Sequence, residues 1–216
     1  MDYLHIFLNY MLHLDKYLLS FVASHGLWTY LLAFVVIFCE TGLVVTPFLP
    51  GDSLLFTLGS IAAQAQNPLN ILILLLLLIA ASILGNQVNY AIGRRIGPRV
   101  FSDKPSRFLN KKYLEEAHQF YEKHGGKTII IARFMPIIRT FAPFVAGVSY
   151  MSRHRFQAYN LSSAILWVGS LLGAGYFLGS LPWIKDNFTV VIYAIIALSL
   201  LPPVYAFLRQ GLARRA

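Results

Sequence analysis

Glu40 and Asp52 are the only acids between Lys16 and Arg94, and both stand in apolar sequence. Arg133 and Arg139 stand in a second apolar stretch, residues 128–149. A charge at mid-membrane depth costs at least about 2.5–3.5 kcal/mol on insertion scales, so it needs compensation. Two carboxylates and two guanidiniums supply it for one another if the segments carrying them meet. In such a cluster Glu40, set among apolar residues, and Asp52 are the candidate proton-exchanging groups. Arg133 and Arg139 offer planar forks suited to a phosphate. The plainer alternative is a static set of buried ion pairs tying one segment to the other. Asp52 also follows Pro50-Gly51, where an N-cap carboxylate would start a returning helix.

Composition places these residues in a membrane. Of 216 residues, 57% are hydrophobic and 12% charged, against about 25% charged in an ordinary soluble domain. A net charge of +9 would suit nucleic acid in a soluble protein. Here the basic residues lie between and after apolar segments, so topology accounts for them and no nucleic-acid partner is expected. Cys39 is the only cysteine, so no intrachain disulfide forms. Asp2 precedes the first cation, Lys16, unlike the basic start of a secretory signal, and the N-terminus is expected to stay attached.

Crossing about 30 Å of hydrocarbon takes about 20 apolar residues, a length met by 70–93, 156–183 and 187–208. Residues 27–39 hold only thirteen uncharged positions before Glu40, about half a bilayer, and Thr46-Pro-Phe-Leu-Pro-Gly51 follows. Residues 128–150 are interrupted by Arg133, Pro136, Arg139 and Pro143. Broken backbone at that depth is tolerated inside protein or beside water. Both stretches, 27–66 and 128–150, are therefore expected to be re-entrant hairpins, broken at Pro47, Pro50, Gly51, Pro136, Pro143 and Gly147. Polar positions three or four apart in 2–16 make 1–24 an amphipathic interfacial helix.

The segment 94–127 holds nine Lys/Arg against four Asp/Glu, which makes it cytoplasmic together with the tail bearing Arg209, Arg214 and Arg215. The hairpins then dip in from opposite faces. Pro47-Phe-Leu-Pro-Gly51 is similar to Pro143-Phe-Val-Ala-Gly147, and Tyr90-Ala-Ile-Gly93 to Tyr176-Phe-Leu-Gly179, as an inverted repeat would require. Residues 111–124 read as an amphipathic helix on the cytoplasmic leaflet. His118 and His124 are six apart rather than the four of helical zinc pairs, so no metal is expected. Asn86 and Asn89 are amides within a span, suited to a polar path or to packing. Gly169, Gly173, Gly175 and Gly179 suit close helix packing. The expected fold is a single all-α membrane domain, 1–216, with two opposed hairpins and about three spans.

Phe38-Cys-Glu-Thr-Gly-Leu-Val-Val-Thr-Pro-Phe-Leu-Pro-Gly-Asp-Ser53 and Ala132-Arg-Phe-Met-Pro-Ile-Ile-Arg-Thr-Phe-Ala-Pro-Phe-Val-Ala-Gly147 resemble the signatures of the DedA family. With His118-Gln-Phe-Tyr-Glu-Lys-His-Gly-Gly-Lys127 the resemblance covers nearly the whole chain. It implies a bacterial inner-membrane protein of the VTT-domain superfamily. Members of that superfamily are implicated in moving phospholipids or undecaprenyl phosphate between leaflets, often with dependence on the proton-motive force. It also implies that Glu40, Asp52, Arg133 and Arg139 are functionally required. Many members have Gly-Asp where this chain has Gly85-Asn86, so any proton step assigned to that acid has no titrating group here.

The expected activity is therefore translocation of a phosphate-bearing lipid, with membrane lipids and protons as partners and room for a homo-oligomer. A proton-coupled cation antiporter and an assembly factor with a static ion-pair core are the alternatives. No nucleophile with a base partner emerges from the spacing, so neither an enzyme nor a cofactor is expected.

Overall fold

A computed structural model describes residues 14–43, 51–64, 69–100 and 125–179, and a few positions between 181 and 194. The described chain is helical, without strands. Helix α1 runs Leu14–Gly42, α2 Gly51–Ala62, α3 Ile71–Val100, α4 Lys127–Ala132, α5 Pro136–Val148 and α6 Arg153–Leu178. Most of the expected 187–208 span, the 111–124 helix, Pro47, Pro50, His118 and His124 lie outside the described residues.

Local sequence accounts for several boundaries. Asn70 Oδ1 accepts the Leu72 and Ile73 amides at 2.9 and 3.3 Å, an Asn cap opening α3, and Tyr30 Oη accepts the Asn70 amide at 2.6 Å. Gly125 takes φ +63°, a left-handed conformation that glycine adopts without Cβ strain, just before α4. The α4–α5 break is a turn over 133–135, with Met135 N donating to the Ala132 carbonyl at 3.0 Å. Pro136 then opens α5, where its missing N–H costs nothing.

Four sequence expectations change. Helix α1 runs unbroken from residue 14 to 42, across the boundary expected between 24 and 27. Pro143 lies inside α5 and Gly147 in its last turn, so neither breaks the backbone; the break needs only the turn before Pro136. Asp52 sits in the first turn of α2 rather than ahead of it. A Cβ added at Gly169 or Gly173 would meet nothing within 4 Å among the described residues, whereas Gly175 and Gly179 do pack.

Helix α3 lies against α1, α5 and α6, while α2 lies chiefly against α6. Two crossings share one pattern. A Cβ at Gly147 of α5 would meet the Tyr90 carbonyl and Arg94 amide of α3, and a Cβ at Gly93 would meet Phe144. Likewise a Cβ at Gly59 of α2 would meet the Leu172 carbonyl and Tyr176 amide of α6, and a Cβ at Gly175 would meet Phe56. In each crossing the arm supplies Phe-x-x-Gly and the long helix supplies a glycine three residues past the contacted carbonyl.

The core centres on Ile37, Leu55, Leu58, Leu74, Leu78 and Leu172, all buried. A second cluster stacks Tyr90 on Phe156 with centroids 4.2 Å apart. Many large apolar side chains among the described residues face outward: Leu27, Leu72, Leu76, Ile131 and Phe177 are each more than half exposed. Residues 71–96 and 153–178 are long and apolar enough to cross a membrane.

Candidate functional site

The two helix breaks bring the charges together. Glu40 stands two residues before the end of α1 and Asp52 in the first turn of α2, while Arg133 follows α4 and Arg139 falls in the first turn of α5. A carboxylate at Asp52 suits the positive end of its helix. Gly51 N donates to Glu40 Oε1 at 3.2 Å, and a Cβ at Gly51 would fall on that carboxylate. Glycine is therefore required for the ends of α1 and α2 to close.

Arg139 joins the halves. Its Nη2 donates to Glu40 Oε1 and its Nη1 to Asp52 Oδ1 at 2.6 Å. Glu40 is 0% exposed and Arg139 6%, so these pairs are shielded from water, where removal of one partner is costly. Among the described residues, Glu40 Oε2 and Arg139 Nε have no hydrogen-bond partner.

Arg133 is held differently. Its Nη1 donates to Ser163 Oγ at 3.0 Å and approaches Asn160 Oδ1 at 3.4 Å. Among the described residues no carboxylate pairs with it, and its Nε and Nη2 have no partner although the residue is 3% exposed. The two arginines, alike in sequence reasoning, thus have different surroundings.

Trp167 of α6, which sequence reasoning does not single out, lies between them. Its ring faces the guanidinium carbons of Arg133 and Arg139 at 5.3 and 5.2 Å, within cation–π range, and its Nε1 donates to Asp52 Oδ1 at 2.9 Å. Asn160 and Ser163 escape sequence reasoning as well; a tryptophan or serine in an apolar span carries no signal that separates it from packing.

The amides anchor this arrangement. Asn86 Nδ2 donates to Asn160 Oδ1 at 2.9 Å, and Asn160 Nδ2 to the Ile83 carbonyl at 3.1 Å. Asn89 Nδ2 bridges the Thr41 and Thr140 carbonyls at 3.2 and 2.7 Å, tying the end of α1 to α5. Thr41, Asn86, Ile129, Arg133, Arg139, Pro143 and Trp167 line a recess with room for about one water molecule. The site can hold an anion against guanidinium, but a headgroup enters only if the two breaks part.

The VTT domain family model matches residues 49–177, a span that includes Asp52, Arg133, Arg139 and Trp167. The chain is 50% identical to Protein DedA of Escherichia coli over 97% of its own length and 96% of that protein. It is 46% identical to a membrane protein of Mycobacterium tuberculosis over 84% of this chain and 79% of that one. It is 40% identical to Inner membrane protein YqjA of Escherichia coli over 71% of this chain and 69% of that one. No solved structure matches the chain.

Proposed function

Since this chain belongs to the DedA family of VTT-domain membrane proteins, we propose that it moves a phosphate-bearing lipid between the leaflets of a bacterial inner membrane. Undecaprenyl phosphate and glycerophospholipids are the substrates in view, with protons as the coupling partner and the basic C-terminal tail in the cytoplasm. The observation that carries the reading is the gathering of buried Glu40, Arg133 and Arg139 with half-buried Asp52 where two helix breaks meet.

With all four groups ionised the cluster is neutral. Protonation of Glu40 removes one negative charge, and a phosphate monoanion restores it. For a headgroup whose net charge is that single negative one, a proton and the headgroup then enter together with no net charge placed in the low-dielectric interior, where an unpaired charge is expensive. Each hairpin serves as the gate on its own face, and acyl chains stay in lipid beside the apolar outer surface. The paired glycine crossings support a repeat of two halves. They set Phe56–Gly59 against Phe144–Gly147 and Leu172–Gly175 against Tyr90–Gly93. That register differs from the one suggested by Pro47–Gly51 and Tyr176–Gly179. No covalent chemistry and no cofactor enters this mechanism.

Leaflet-resolved transfer of labelled undecaprenyl phosphate and phosphatidylethanolamine tests it, using proteoliposomes with and without a pH gradient. The expected result is transfer above empty liposomes that Arg139→Ala abolishes. No transfer by folded wild-type protein present in both orientations would contradict it.

A further inference from the structure

Arg139 and Arg133 differ in which edge of the guanidinium is used. Each Nη atom of Arg139 donates one bond to a carboxylate, and among the described residues its Nε has no partner. A headgroup approaching the Nη1–Nη2 end of Arg139 meets Glu40 and Asp52 already there. In Arg133 the reverse holds. Nη1 is fixed by Ser163 and Asn160, while Nε and Nη2 are buried without partners. The Nε–H and one Nη2–H point the same way along one side of the guanidinium plane, so together they make the two-pronged edge that binds phosphate or carboxylate bidentately. A buried donor pair left unused is costly and calls for an occupant. Arg133 also lines the recess.

We propose that Arg133 is the anion-binding residue and Arg139 the ion-pair lock, the free edge of Arg133 receiving a monoanionic phosphate while Ser163, Asn160 and Trp167 position its guanidinium. This rests on the phosphate-headgroup reading above and divides its two arginines into separate roles. Binding at Arg133 displaces neither carboxylate from Arg139, so the Arg139 pairs can re-form around a headgroup that the parted breaks have admitted. Asn86 is a positioning residue at one remove, since it holds the same Asn160 oxygen.

Trp167 supplies the reporter. Trp28→Phe with Trp183→Phe leaves it as the single tryptophan of the chain, which has three, with its ring 5.3 Å from the Arg133 guanidinium carbon. The purified reporter protein in nanodiscs is titrated with inorganic phosphate and, separately, with dihexanoyl phosphatidic acid, following Trp167 emission. Saturable change is expected, and Arg133→Lys is expected to raise the half-saturating concentration about tenfold, the loss of one charge-assisted contact. Arg139→Lys is expected to raise it less, and Ser163→Ala to raise it measurably while the protein still elutes as folded. Tighter binding of phosphatidic acid assigns the site to a lipid headgroup; equal binding assigns it to phosphate itself. Arg133→Lys and Ser163→Ala both titrating like the parent would overturn the assignment, as would a parent that binds neither probe. Lipid transfer that persists with such a result would leave translocation intact. Arg133-dependent binding without transfer would remove translocation and leave the site.

Discussion

Asp52 Oδ1 takes donors from two different elements, Arg139 of α5 and Trp167 of α6, so single side chains here carry contacts between helices far apart in sequence. Trp167→Phe keeps a ring over both guanidiniums and deletes only the indole donor to a carboxylate, a bond worth about 1.5–3 kcal/mol. Thermal unfolding of the detergent-solubilised protein should register a loss of that size, and an unchanged midpoint would show that Trp167 acts by ring packing alone. Glu40, Asp52, Arg133 and Arg139 are legible in the sequence because a charge in an apolar run is improbable without a partner. Trp167, Asn160 and Ser163 are not, since their residue types are ordinary in a packed span. Nor is the difference between the arginines legible, because it depends on which helices reach each guanidinium, α1 and α2 at Arg139 and α6 at Arg133.

Among the elements, the glycine crossings set how closely the short arms approach the long helices. At Gly93 and Gly175 an added methyl meets the backbone of Phe144 and Phe56, which cannot rotate aside, so Gly93→Ala and Gly175→Ala should each cost about 1–3 kcal/mol. Gly169→Ala, facing open space among the described residues, should stay within about 0.5 kcal/mol of wild type. Equal melting midpoints for all three variants would show that the crossings do not limit helix approach. Sequence spacing puts Gly175 and Gly179 in contacts but counts Gly169 and Gly173 with them, because a glycine's face depends on the helix rotation that the partner fixes. In the second broken stretch the sequence points to the right place with one cause too many. Pro136 starts a helix, while Pro143 sits within one, its lost backbone bond tolerated inside α5.

For the whole molecule, helical membrane character follows from composition and from the lengths of 70–93 and 156–183, which the structure renders as the helices Ile71–Val100 and Arg153–Leu178. The register between the proposed halves does not follow, because four- and five-residue matches are too short to choose among frames, whereas the paired glycine crossings favour one. In that arrangement Arg139 with its two carboxylates is the charged contact, among the described residues, that holds the two breaks together. Under the proposed translocation, a proton is coupled to a headgroup through Glu40, the acid that is fully buried among the described residues. The measurement that tests this most directly is leaflet-resolved lipid transfer by Glu40→Gln in proteoliposomes, with and without a pH gradient. The variant is expected to insert and fold as wild type yet to show no acceleration by the gradient. Transfer by Glu40→Gln that the gradient still accelerates as in wild type would contradict a proton role for this carboxylate.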